Sequence, residues 1–82
     1  PMKGYTLTLD LPNHRGLLPF LNEMDRILLD HGGRLYLAKD AVAMPEMIAA
    51  MYPRLDEFKA IRHRLDPAGV LSSNMARRLG LV

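Results

Sequence analysis

The chain has 82 residues, 49% of them hydrophobic, with a formal net charge of +2 and no cysteine. That length allows one small domain, which buries only about 60% of its unfolded surface. The missing cysteines exclude disulfides and thiolate metal sites, and so small a charge excess does not argue for a nucleic-acid binder.

So much apolar content in so short a chain predicts that part of it is meant for a partner surface, in the same chain or another. No apolar run approaches the ~18 residues of a membrane span, and no secretory leader is visible. With the lack of cysteine, this fits a cytoplasmic protein. Pro1-Met2-Lys3-Gly4 leads straight into strand-like sequence, which reads as a chain cut from something longer.

Tyr5-Thr6-Leu7-Thr8-Leu9-Asp10-Leu11 alternates strictly and predicts a half-buried strand, with Tyr5, Leu7, Leu9 and Leu11 on its dry face and Pro12 at its end. From Gly16 to His31 the period changes. Leu17, Phe20, Leu21, Met24, Ile27 and Leu28 follow the spacing of an amphipathic helix. Pro19 is tolerable in its first turn, and Gly32-Gly33 supplies a left-handed stop. Leu35-Tyr36-Leu37-Ala38 predicts a second strand. Strand, helix and strand with short links make a split βαβ-like unit, whose two strands need further strands to complete a sheet.

The remainder predicts three short helices, so the expected class is α+β. Pro45 opens the first, over Glu46 to Tyr52. Pro53 starts the second at its favoured position. In that helix Leu55, Phe58, Ile61 and Leu65 form a stripe, acids lie near its start, and Arg62, His63 and Arg64 lie near its end. Asp66-Pro67-Ala68-Gly69 is a turn. Ser72 or Ser73 caps the third helix, which runs through Leu79 and stops at Gly80.

Few residue groupings carry chemistry. His14, His31 and His63 have no ligand spacing, so no metal site is expected. No nucleophile elbow or phosphate loop is present. Arg62-His63-Arg64 and Arg77-Arg78 sit where helix ends favour cations anyway, and Met44, Met47 and Met51 share one helix face as core packing does. Lys39 is the ambiguous case. It follows an apolar run, so it is either a solvated strand end, screened by neighbouring Asp40, or a fixed cation pointed at a ligand.

The stretches GYTLTLDLP, EMDRILLDHGGRLYLAKD, AMYPRLDEFKAIRHRLDPAGV and SSNMARRLGLV resemble, in order and end to end, the C-terminal end of FAD-dependent oxidoreductases of the vanillyl-alcohol oxidase class, in the branch of the decaprenylphosphoryl-ribose oxidases. Gly33 to Lys39 also resembles, less closely, the Gly-Arg-Pro-His-Trp-x-Lys of sugar-lactone oxidases, with Tyr36 in place of His and Leu37 in place of Trp. That departure makes an aldonolactone substrate the less favoured expectation.

The resemblance implies that residues 1–82 are one partial domain, the end of a substrate domain that covers the flavin, with the FAD-binding domain absent from this sequence. It implies FAD as cofactor of the parent protein, an FAD-binding domain as partner, and oxidation of a sugar or alcohol hydroxyl by hydride transfer. It places Lys39 at the flavin and substrate, and Tyr36 close to the same pocket. Alone, the chain is expected to be inert and to self-associate. The alternative is a free-standing interaction or dimerisation module without flavin.

Overall fold

The computed structural model describes residues 2–82, and among them the regular structure is helical. Helix α1 spans Leu17–Asp30, α2 Pro45–Met51, α3 Leu55–Leu65 and α4 Asn74–Arg78, with one 3-10 turn at Leu37–Lys39.

The strand-helix-strand unit is therefore corrected: the described residues contain no strand and no sheet, and the α+β assignment falls with it. The physical reason lies in what alternation specifies. A period of two chooses which side chains share a face, but a strand also needs a neighbour for its N–H and C=O groups. Residues 5–11 find none here and hold no regular structure; Leu7 is 80% exposed. The other expected strand closes into a turn instead, with Lys39 N–H donating to the Tyr36 carbonyl at 2.9 Å.

Helix boundaries follow local chemistry. In α1, Pro19 lies within the first turn, where an N–H has no helical acceptor. The helix ends at a Schellman motif: Gly32 has φ +71°, its N–H donates to the Leu29 carbonyl at 2.9 Å, and Gly33 N–H donates to Leu28 at 2.8 Å. A side chain at Gly33 has no room, because a Cβ there would lie 2.1 Å from Leu28 Cδ1. Pro45 is the first residue of α2. Pro53 stands two residues before α3 rather than at its first position; Arg54 is the N-cap residue, makes no side-chain capping bond, and pairs with Glu57 on the surface at 2.7 Å. Ser73 caps α4, accepting from Ala76 N–H at 3.0 Å.

The core is small. Ala43, Ile48 and Leu79 form its centre, with Leu35, Leu37, Tyr52 and Leu81 packed against it, and Met51 is also buried. It therefore joins the 35–43 loop, α2 and the C-terminal end, while α1 leans on α2. The α3 stripe stays largely open: Phe58, Ile61 and Leu65 are exposed. The accessible surface is 6839 Å², against about 5,000 Å² for a compact chain of this size. The radius of gyration is 14.4 Å, against about 12 Å expected. Both excesses agree with a fragment whose apolar surface is shaped for cover that these residues do not supply.

Candidate functional site

The 3-10 turn carries both sequence-selected residues. Tyr36 caps it and Lys39 closes it. The Lys39 N–H bond to the Tyr36 carbonyl at 2.9 Å draws the two ends of the turn together. A continuous strand would have sent them to opposite faces. Both are exposed, Tyr36 to 67%. Among the described residues Lys39 makes no ion pair.

The turn is mounted on the core and tied from two remote elements. Leu35 and Leu37 pack inward on Ala43, Ile48 and Leu79. The Tyr52 hydroxyl, at the end of α2, donates to the Leu35 carbonyl at 2.6 Å. Arg34 stacks over the Tyr52 ring, with its guanidinium 5.4 Å from the centroid, a cation–π contact that holds the tyrosine from above. On the other flank, Arg78 of α4 donates to the Asp40 carbonyl at 3.0 Å and the Ala43 carbonyl at 3.1 Å, and also pairs with the Asp40 carboxylate. Asp40, expected as a possible screen for Lys39, is thus engaged by Arg78.

Two other arginines tie local structure. Arg62 donates to the Leu71 carbonyl at 2.6 Å and pairs with Asp66 at 3.4 Å. Arg77 donates to Ser72 Oγ and Asn74 Oδ1, both at 2.8 Å. Asp66 also accepts from Leu71 and Val70 N–H, at 2.8 and 2.9 Å; these bonds first, and Arg62 after them, hold its carboxyl below the usual range against the opposing pull of desolvation. Asp25, 7% exposed, has its carboxyl pushed up by burial. Among the described residues, no group of three or more acids and histidines is arranged to hold a metal ion, and no helix is long and apolar enough to cross a membrane.

A cleft of about 370 Å³ lies among Leu37, Ile48, Tyr52, Leu55, Phe58 and Leu81; Tyr36 and Lys39 do not line it. The ties made by Tyr52 and Arg78 escaped sequence reasoning. Tyr52 and Arg78 lie 17 and 38 residues from their partners, and no local pattern announces so distant a bond.

The turn thus presents an exposed tyrosine and an exposed lysine, and is held from behind by Tyr52 and Arg78. The family model of D-arabinono-1,4-lactone oxidase matches residues 7–79, and the chain belongs to that family of oxidases. The match includes Tyr36 and Leu37, the positions that depart from the sugar-lactone oxidase pattern.

Among curated proteins, the chain is 49% identical over 82 residues to the decaprenylphosphoryl-beta-D-ribose oxidase of Mycolicibacterium smegmatis, covering 100% of the chain and 18% of that protein. It is 45% identical over 82 residues to a Streptomyces coelicolor protein described as an uncharacterized protein in the mprA 5′ region, covering 99% of the chain and 22% of the relative. The chain thus spans about a fifth of the length of these relatives. The expected kinship with FAD-linked oxidases is borne out, and the family and the oxidase relative imply FAD in the parent protein.

The residues present suit one edge of such a cofactor in chemistry: Lys39 is a cation and Tyr36 a planar ring, and both are exposed.

Proposed function

We propose that this chain is the C-terminal end of the substrate domain of an FAD-dependent oxidoreductase that oxidises a sugar or alcohol hydroxyl, and that Lys39 is its flavin-side cation. The observation that carries this reading is the exposed pair Tyr36 and Lys39 at the two ends of a turn that Tyr52 and Arg78 hold in place. FAD, when bound, accepts the hydride leaving the alcohol carbon. Beside the bound flavin, the Lys39 ammonium would stabilise the negative charge that the ring system gains with the hydride. In a closed, dry site a fixed cation stabilises such charge far better than water does. The same ammonium is a hydrogen-bond donor for the substrate hydroxyl or the ketone it becomes. The Tyr36 ring walls the pocket and its hydroxyl is available to orient the sugar.

The FAD-binding domain of the parent is the partner that completes the site. The open α3 stripe and the exposed Leu7, Leu9 and Leu11 are apolar surface suited to cover by the rest of the parent. Without that cover the isolated chain is inert and self-associates. A strictly monomeric mass at high concentration in sedimentation experiments contradicts the self-association.

The decisive experiment places Lys39→Ala in the full-length parent and follows anaerobic reduction of the bound flavin by substrate. Loss of one preorganised charge of this kind slows the step by on the order of 10²-fold or more. Reduction at the parent's own rate overturns the role of Lys39.

A further inference from the structure

We infer that Arg78 is a positioning residue for Lys39: by engaging the Asp40 carboxylate and the carbonyls of Asp40 and Ala43, it keeps the neighbouring ammonium unpaired and fixes the turn that presents it. This rests on the reading of Lys39 as the flavin-side cation and adds the residue that makes the reading possible.

A carboxylate next in sequence to a lysine is a ready counter-ion for it. Were Asp40 free, its charge would cancel that of Lys39 in front of the site, and a cancelled cation stabilises little. Arg78 prevents this through charge and geometry together. Its planar fork reaches the carboxylate and two backbone oxygens at once, which a point-charge ammonium does not match. It comes from α4, adjoining the fully buried Leu79, so the fork is anchored to the core. The contact joins positions 38 residues apart and closes the C-terminal segment over the 36–43 loop. The Asp40 carboxylate is mostly shielded, with 20% of its side chain accessible.

The test uses the full-length parent and an amine-selective acylating reagent. Labelling of the Lys39-bearing peptide is followed by mass spectrometry against the fully labelled denatured protein. An ammonium paired with a carboxylate gives up its proton less readily and labels more slowly. Arg78→Gln is expected to slow Lys39 labelling about two- to five-fold, the range of an exposed ion pair, and to lower the rate of flavin reduction by about tenfold. Asp40→Asn combined with Arg78→Gln restores the labelling, because the competing charge is gone. Arg78→Lys retains part of the effect.

Asp40→Asn alone keeps the two carbonyl bonds and labels at or above the parent's rate. This makes it a control that does not depend on the fold surviving Arg78→Gln. Unchanged labelling in a folded Arg78→Gln protein, a double variant as slow as the single one, or slowed labelling in Asp40→Asn each overturns the inference. If Lys39→Ala reduces flavin normally, the functional reading fails while the labelling pattern still reports on Arg78, so the two failures are told apart.

Discussion

Leu7 and Leu79 both sit in sequence patterned for burial, yet one is 80% exposed and the other fully buried. The difference separates two regions. The stretch 35–52 and the C-terminal end 73–81 share the core, the Tyr52 and Arg78 ties, and the site turn. The segment 2–13 has the apolar alternation but no packing partner, and in α1 Leu18, Phe20 and Ile27 remain exposed. The first region is complete enough to hold a geometry, whereas the second leaves much of its apolar surface exposed.

The sharpest way to break this contrast is truncation on either side of it. Leu79→Ala removes a fully buried side chain from a core of very few residues. It is expected to cost about 2–5 kcal/mol, read from denaturant unfolding of the parent and from loss of flavin reduction. Next, Gly32→Ala forces an L side chain to a positive φ and costs about 1–2 kcal/mol. That loss falls on α1 and leaves the site turn intact, so stability drops while Lys39 labelling holds.

Tyr52→Phe removes the hydroxyl from the Leu35 carbonyl and costs about 1 kcal/mol. It loosens the turn itself, so flavin reduction slows as well. At the small end, Leu7→Ser in the isolated chain is expected to shift unfolding by no more than about 0.5 kcal/mol. In the full-length parent the same change costs more if residues 5–11 are covered there. Equal effects in both contexts would remove the distinction between the two regions.

Acid titration gives two carboxylates opposite signs, one on α1 and one in the turn after α3. The Asp66 carboxyl is held low by the backbone N–H groups it accepts. Its contribution is present above the ordinary aspartate value, about 4, and is lost as pH falls through the lower folded value. Asp25 on α1 is raised by burial, so the folded state holds its proton more tightly than the unfolded chain. Stability from that site is kept below the ordinary value and lost as pH rises through the higher folded one. Asp66→Asn therefore flattens the loss of stability on acidification, and Asp25→Asn removes the opposing slope. Both are measured as thermal midpoints across pH 2–7.

The helix-bearing part of the fold was legible wherever one or two residues decide a boundary. Gly32, Pro45 and Ser73 act through their own backbone or a bond three residues away. Pro53 lies two residues ahead of the first helical position expected for it, because Tyr52 to Leu55 form a turn of their own, closed by Leu55 N–H on the Tyr52 carbonyl, before α3 begins. The strand-helix-strand unit was misread because alternation in residues 5–11 and 35–38 describes faces, and pairing is a property of two segments. At the site, Lys39 and Tyr36 were selected by resemblance, without any local signal that they close one turn. Tyr52 and Arg78 were invisible, since each acts on a carbonyl of a distant segment.

The sequence by itself determined the helix signals at Gly32, Pro45 and Ser73, the apolar excess over what 82 residues can bury, and kinship with a family of oxidases. These are local or compositional properties, carried by short-range sterics and by residue identity. Only the tertiary structure decided that the Leu37–Lys39 segment closes as a turn, that Leu35 and Leu37 face inward while Tyr36 and Lys39 stay exposed, and that Arg78 rather than Lys39 takes the charge of Asp40. Those outcomes depend on which distant donors reach the turn once Ala43, Ile48 and Leu79 come together, and no stretch of neighbouring residues encodes that meeting.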